Sequence, residues 1–344
     1  MRRGLLSVLF ALGLVLNFSG MVLAMSPGGD DSGRIPSTST GHQNGPALTL
    51  SYAQIIDGGS PVYANPTDAA AGIGPTNWLQ PGFVFVSLAN SSPVASGGQL
   101  WYPLYEGGWV PSSHALPYAA SAFHGIELSR QPYDPFAWVL WDSPISAAPG
   151  APPTPDALHF TRYSVLTLLD QQNVNGVMWY RVGDNEWLSQ YRLGIVAASK
   201  RPDAIGPGDK WIEVNLTEQT LAAYEGDRMV YATLVASGLP NWDTTPGLFQ
   251  IYDKVKMERM TGEPGKPDYY YLQDIPWIMY FDNDQALHTA YWHDGFGSPH
   301  SHGCVNLPPE DAMWLFNWST PVAGPDNHTN ATPDNPGTWV WVHY

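Results

Sequence analysis

The chain reads as mainly β. Three observations predict this. Charged residues make up only 13% of the 344 positions, while Gly (34) and Pro (32) are abundant and aromatics reach 13%. Short runs of alternating apolar and polar residues recur along the sequence, each closed by Gly, Asn or Asp. A helical pattern is confined to the segment after Pro308-Pro309. This profile suits a turn-rich β protein and excludes a helical bundle. The formal charge of −16 excludes a nucleic-acid binder, which needs basic patches. It leaves room for cationic or zwitterionic partners, and the length predicts two or three domains.

At the N-terminus, Met1-Arg2-Arg3 is followed by an apolar run from Gly4 to Leu16 and by Val22-Leu23-Ala24. A basic start, an apolar run too short for a membrane span and small residues at the junction predict a secretory signal over 1–24. An uncleaved anchor is the alternative. No cysteine lies at the junction, so no lipid anchor is expected, and no stable membrane insertion follows cleavage. Residues 25–47 are rich in Ser, Gly, Pro and Thr, as in a flexible linker.

Two segments then repeat a pattern. Gly98, Trp101-Tyr102 and Trp109 are spaced like Gly176, Trp179-Tyr180 and Trp187. Glu106-Gly107-Gly108 and Gly183-Asp184-Asn185 close a hairpin in each, and Phe83–Val86 and Val165–Leu168 precede them as strands. The strand, Trp-Tyr, turn, Trp order resembles tandem bacterial SH3-like barrels, over 48–125 and 135–198. The tryptophans serve equally well as core residues of two small β-units.

Lys200–Asp209 is polar and broken by proline, and a third folded unit is expected over 208–344. Strands are predicted at Trp211–Leu216, Gln219–Tyr224, Met229–Ser237, Leu248–Tyr252, Trp277–Phe281 and Ala286–His288. A helix is predicted at Glu310–Trp318, with prolines and acids in its first turn. Thr338–Val342 closes the sheet.

The only cysteine, Cys304, sits in Ser301-His302-Gly303-Cys304-Val305-Asn306. An unpaired thiol in an exported protein points to chemistry. It must ionise to attack, so it needs a base or a favourable field. His288, sixteen residues upstream at a strand end, is the candidate base.

His288, a turn-rich loop with Trp292-His293 and Phe296-Gly297, and then Ser-His-Gly-Cys-Val-Asn resemble the catalytic stretch of the L,D-transpeptidase family (YkuD-type domain). The resemblance covers about 210–344. It implies a β-sandwich with a short helix after the nucleophile. It also implies exchange of acyl groups on peptidoglycan stem peptides, with Cys304 as nucleophile and His288 as general base and acid. His302, Gly303, Ser301, Thr289 and Asn306 become supporting or oxyanion residues. Thr289 stands where many members carry Gly or Ser.

Tyr270, Tyr271, Trp292 and Phe296 are substrate-binding candidates, and each serves equally as a packed aromatic. One thiol with scattered imidazoles, His293 and His300 among them, predicts neither metal nor cofactor. The location expected is the cell envelope, with wall glycan or peptide as a partner of the N-terminal units. Water as acceptor would make the enzyme an L,D-carboxypeptidase, and a buried structural Cys304 would make the protein a wall-binding module.

Overall fold

The computed structural model describes residues 47–344 apart from 57, 155, 156 and 263. The leader expected over 1–24, and all of the expected linker except Ala47, lie outside the described residues. Ala47 is buried, and Trp277 Nε1–H donates to its carbonyl at 2.9 Å. Among the described residues no helix is long and apolar enough to cross a membrane.

Alternating side chains between Lys210 and Glu225 build the centre of a six-stranded sheet. Its order is Gly247–Gln250, Trp339–His343, Lys210–Asn215, Thr220–Glu225, Arg228–Leu234 and Ile126–Glu127. Ile212, Val214, Leu221, Ala223, Val340 and Val342 point to one core, while Trp211, Ala222 and Tyr224 point to another. Each Ile, Val or Leu side chain buried this way contributes roughly 1.5–3 kcal/mol.

The second sheet has eight strands organised around Tyr270–Asp282. One edge of this long strand is taken by Asp253–Thr261, which in turn pairs His328–Asn330. The other edge holds Gln285–Thr289 at one end and Phe83–Leu88, in parallel, at the other. Val305–Leu307 lies beyond Gln285–Thr289, and Ser51–Ile55 and Ala115–Tyr118 lie beyond Phe83–Leu88. Sequence reading found only Trp277–Phe281 of this strand, because the rest breaks strand rules. Pro276 lies within it, and Asp274 and Trp277 have φ of 49° and 59°.

The two repeats do form the expected hairpins. Gln99–Pro103 pairs with Trp109–Pro111, and Val177–Gly183 with Glu186–Ser189. Small cores surround them, one with Ala53, Val86, Tyr102 and Val110, the other with Ala137, Val139, Leu168 and Leu188. The strand pairings form open sheets, however, and no closed barrel is found among the described residues. Phe83–Leu88 pairs outward with the long strand, and Ile126–Glu127 pairs outward with Tyr231-Ala232. Tyr52, Phe85, Phe136 and Trp138 share one core with Ile275, Ile278, Tyr291 and Trp292.

The helix runs Pro309–Trp318, with Glu310 and Asp311 in its first turn. Its last turn contains no basic residue, and two sheet lysines supply the missing donors. Lys254 Nζ donates to the Phe316 and Ser319 carbonyls, and Lys210 Nζ to Trp318 O at 2.8 Å. Burial pushes the Lys254 ammonium down to about 7. At the other end the buried Asp311 carboxyl accepts from Tyr231, Thr233 and the Gly125 N–H. Burial raises it to about 6.

The shared core and the two outward strand pairings predict that residues 208–344 need what precedes them in order to fold. A chain starting at 208 should lose the native near-ultraviolet dichroism of the full protein and aggregate in size-exclusion chromatography. A monomeric fragment with native dichroism would show the preceding strands to be dispensable.

Candidate active site

The site is set by a short parallel pairing. Gln285–Thr289 and Val305–Leu307 lie side by side with His288 opposite Asn306 and Leu287 opposite Val305. Alternation then puts Leu287, Val305 and Leu307 into the helix-side core. Ala286, His288, Cys304 and Asn306 take the other face, where Ala286 and Cys304 join the second core. His288 and Cys304 are therefore one diagonal step apart on a shared face, about 8 Å between Cα atoms from strand spacing and rise.

His288 is buried, and its Nδ1 lies 2.9 Å from the Thr289 carbonyl. A carbonyl only accepts, so Nδ1 carries the proton and Nε2 keeps the lone pair. Burial lowers the imidazole to about 4. Cys304 is half-buried, its Sγ 3.6 Å from the Asp284 carbonyl. Burial pushes the thiol up to about 11, opposed by the Ala286 N–H.

The loop before the thiol is held by its own residues and by a neighbouring turn. Ser301 Oγ donates to Cys304 O at 2.5 Å and accepts from Gly303 N–H at 3.1 Å. The Gly303 N–H suggested as an oxyanion donor is thus already engaged, because the loop needs it to close. Gly303 has φ of 115°, and a Cβ there would sit 3.2 Å from Gln285 Nε2, so glycine is required. Thr244 Oγ1 donates to Gly303 O at 2.9 Å, and Gln285 ties Thr245 N–H to Asp243 O. Thr289 itself is buried on the helix-side face, and its Oγ1 has no hydrogen-bond partner.

Asn306 reaches a second imidazole. Its amide lies 2.9 Å from His293 Nε2, while His293 Nδ1 accepts from Gly295 N–H at 3.0 Å. Nδ1 is therefore unprotonated, so Nε2–H is the donor and the Asn306 oxygen is the group that can accept it. Burial, together with His300 and His288 nearby, lowers His293 to about 3. Trp292 packs 5.8 Å from the His288 ring, and Phe296 lies deep in the core. Neither lines an open surface, because the loop that carries them folds inward onto Tyr291 and Phe123.

The two adjacent tyrosines separate, as neighbours on a strand must. Tyr270 stacks on His302 at 5.2 Å and stands within electrostatic range of Cys304. Tyr271 points away, accepting from Gln273 Nε2 at 3.1 Å and packing against the first N-terminal core. It does not join the site. His302 is exposed between Tyr270 and Trp242, whose rings lie 5.2 Å and 4.7 Å away. Sequence reading missed Trp242, Tyr252 and Tyr280, the last two also within range of Cys304. The one available signal was a tryptophan in the turn-rich stretch before Thr244. Among the described residues no group of three or more His, Cys, Asp or Glu could hold a metal ion.

Burial favours the uncharged thiol and the uncharged imidazole together. Iodoacetamide labelling of Cys304 should therefore climb continuously from neutral to alkaline pH as thiolate forms. A plateau of rapid labelling between roughly pH 5 and 8 would instead reveal a preformed thiolate–imidazolium pair.

Residues 209–342 match the YkuD family, described as the L,D-transpeptidase catalytic domain. A candidate L,D-transpeptidase of Bacillus subtilis (strain 168), YciB, is 25% identical over 125 residues, 31% of this chain. The match spans 59% of that relative's length. An Enterococcus faecium L,D-transpeptidase, crystallised as a cysteine-to-serine mutant, is 26% identical with a TM-score of 0.32, covering 39% of this chain and 50% of that one. An L,D-transpeptidase from Stackebrandtia nassauensis is 29% identical with a TM-score of 0.28, covering 40% and 56%. Residues 209–342 of this chain are a YkuD-type L,D-transpeptidase catalytic domain.

Proposed function

We propose that the protein is an exported L,D-transpeptidase acting on peptidoglycan stem peptides. Cys304 Sγ attacks the carbonyl that joins the L-centre of the third stem residue, a diamino acid, to the terminal D-alanine. His288 Nε2 takes the thiol proton and passes it to the departing amine, so that D-alanine leaves and a thioester remains. An amine from a neighbouring stem attacks the thioester, His288 accepts its proton, and the thiol is regenerated. The product is a 3→3 cross-link.

The observation that carries this reading is the committed Nδ1–H of His288. It leaves Nε2 as the basic nitrogen on the face shared with Cys304. An uncharged resting pair suits general-base catalysis, because the proton moves as the bond to sulfur forms. The Cys304 N–H is the oxyanion donor in this scheme, a contact typically worth about 3 kcal/mol. Ser301, Gly303 and Asn306 shape the loop, and Tyr270, His302 and Trp242 wall the side from which the stem approaches. The N-terminal units, SH3-like in their hairpin pattern, meet wall glycan or peptide through exposed aromatics such as Trp78 and Tyr105.

Incubation of the full chain with disaccharide-tetrapeptide, followed by mass spectrometry, tests the reaction. A dimer one D-alanine lighter than two substrates is expected. Loss of D-alanine with water added would identify a carboxypeptidase instead. Cys304→Ser and His288→Ala should each lower turnover by about a hundredfold or more. Full turnover in His288→Ala would overturn the assignment of the base.

A further inference from the structure

Residues 290–301 join the histidine to the cysteine, and they are held from outside the catalytic domain. Arg162 and Tyr163, from the second N-terminal unit, close on Asp294. Arg162 Nη1 lies 3.0 Å from Asp294 Oδ2, and its Nη2 donates to the Asp294 carbonyl. Tyr163 O–H donates to the same carbonyl at 2.7 Å. Ser121 Oγ–H donates to Oδ1 of the carboxylate. Both polar ends of one residue, side chain and backbone, are thus engaged from a distant part of the chain.

The clamp is itself braced. Tyr163 adopts φ of 68°, a left-handed conformation that costs a residue with a Cβ. Its ring stacks on Phe123 at 4.1 Å, the Arg162 guanidinium covers its other side at 4.2 Å, and its N–H donates to Val139 O at 2.7 Å. Phe123 touches Phe296 of the catalytic loop. Gly297 lies so close to Leu140 that a Cβ would approach its side chain to 2.4 Å. A cavity of about 650 Å³, lined by Trp138, Tyr163 and Asp294 among others, flanks the clamp. It leaves space for the loop to move if the clamp is released.

From Asp294 a short path leads to the reacting pair. Gly295 N–H meets His293, His293 meets the Asn306 amide, and Asn306 sits opposite His288 and two residues after Cys304. We propose that Arg162 and Tyr163 are positioning residues for the Cys304 reaction, acting through Asp294, Gly295, His293 and Asn306. The second N-terminal unit is then part of the catalytic apparatus as well as a contact for the wall. This inference rests on the acyl-transfer reading given above.

The test uses the full chain and a carbapenem, with mass spectrometry following the adduct on Cys304. Two quantities are read: the fraction of protein that can be acylated, and the rate constant at which that fraction reacts. Destabilisation alone lowers the first and leaves the second. The variants are Arg162→Ala, Arg162→Lys, Tyr163→Phe and the double Arg162→Ala/Tyr163→Phe. Arg181→Ala, which removes a surface ion pair in the same unit, is the control. The rate constant should fall about 10- to 100-fold in the double variant. Tyr163→Phe should lie between it and the parent, Arg162→Lys should recover part of the loss, and Arg181→Ala should match the parent. A double variant whose competent fraction reacts at the parental rate overturns the positioning role. A parent that takes no acyl group overturns the acyl-transfer reading, and the positioning role with it.

Discussion

The structure depends on the parallel pairing of Gln285–Thr289 with Val305–Leu307. Three paired positions fix which side chains share a face, and a slip of one residue would send Cys304 to the helix-side core. So short a ladder holds little register by itself. Its register is imposed by what grips it. Leu287, Val305 and Leu307 are packed against the helix. On the far side Asn306 exchanges backbone hydrogen bonds with Ala236, and Ser237 O accepts from His300 and Ser301. The proposed nucleophile is thus placed by one strand on each side and a core beneath.

The next constraint is the irregular strand Tyr270–Asp282. Its outer edge is continuous with Asp253–Thr261, but its inner edge is divided between the histidine strand and an N-terminal strand. One element therefore carries both the site and the attachment of the first N-terminal unit. Tyr52 O–H donates to the Asp274 carbonyl and Ser87 to its carboxylate, at the position with positive φ. The local cost of that conformation is offset by partners from the N-terminal unit. Burial at the site follows from the same packing. Tyr291 and Trp292, at the end of the histidine strand, stack into the shared core and exclude water from His288. This packing is the physical reason the His288 imidazole rests uncharged.

Much of this was legible in the sequence. The strands from Lys210 to Gln250, the helix after Pro308-Pro309 and the last strand follow from alternation and turn residues that obey simple rules. Cys304 and His288 stood out because a lone thiol in a Ser-His-Gly-Cys run has few structural uses. Other features were hidden for identifiable reasons. Tyr270 and Tyr271 look alike in sequence, and only the strand assignment shows that they face opposite ways. Pro276 masked a strand whose missing N–H is tolerated at an irregularity. The hairpins of the repeats were readable, but nothing local says that Phe83–Leu88 would pair with a strand almost two hundred residues away. Asp294 lies in a turn-rich loop, and nothing local points to its partners Arg162 and Tyr163, which are more than a hundred residues away.

The place of Trp339–His343 has a consequence for how the molecule is made. This strand lies between Gly247–Gln250 and Lys210–Asn215, inside the six-stranded sheet, and more than a hundred residues separate it from its parallel partner. Closing so long a loop loses entropy before any contact compensates, so assembly is slow. Until that strand is available, Gly247–Gln250 is separated from the rest of the sheet, and it and Lys210–Asn215 each have an unmatched edge. The polypeptide consequently remains pliable until its last strand has been made.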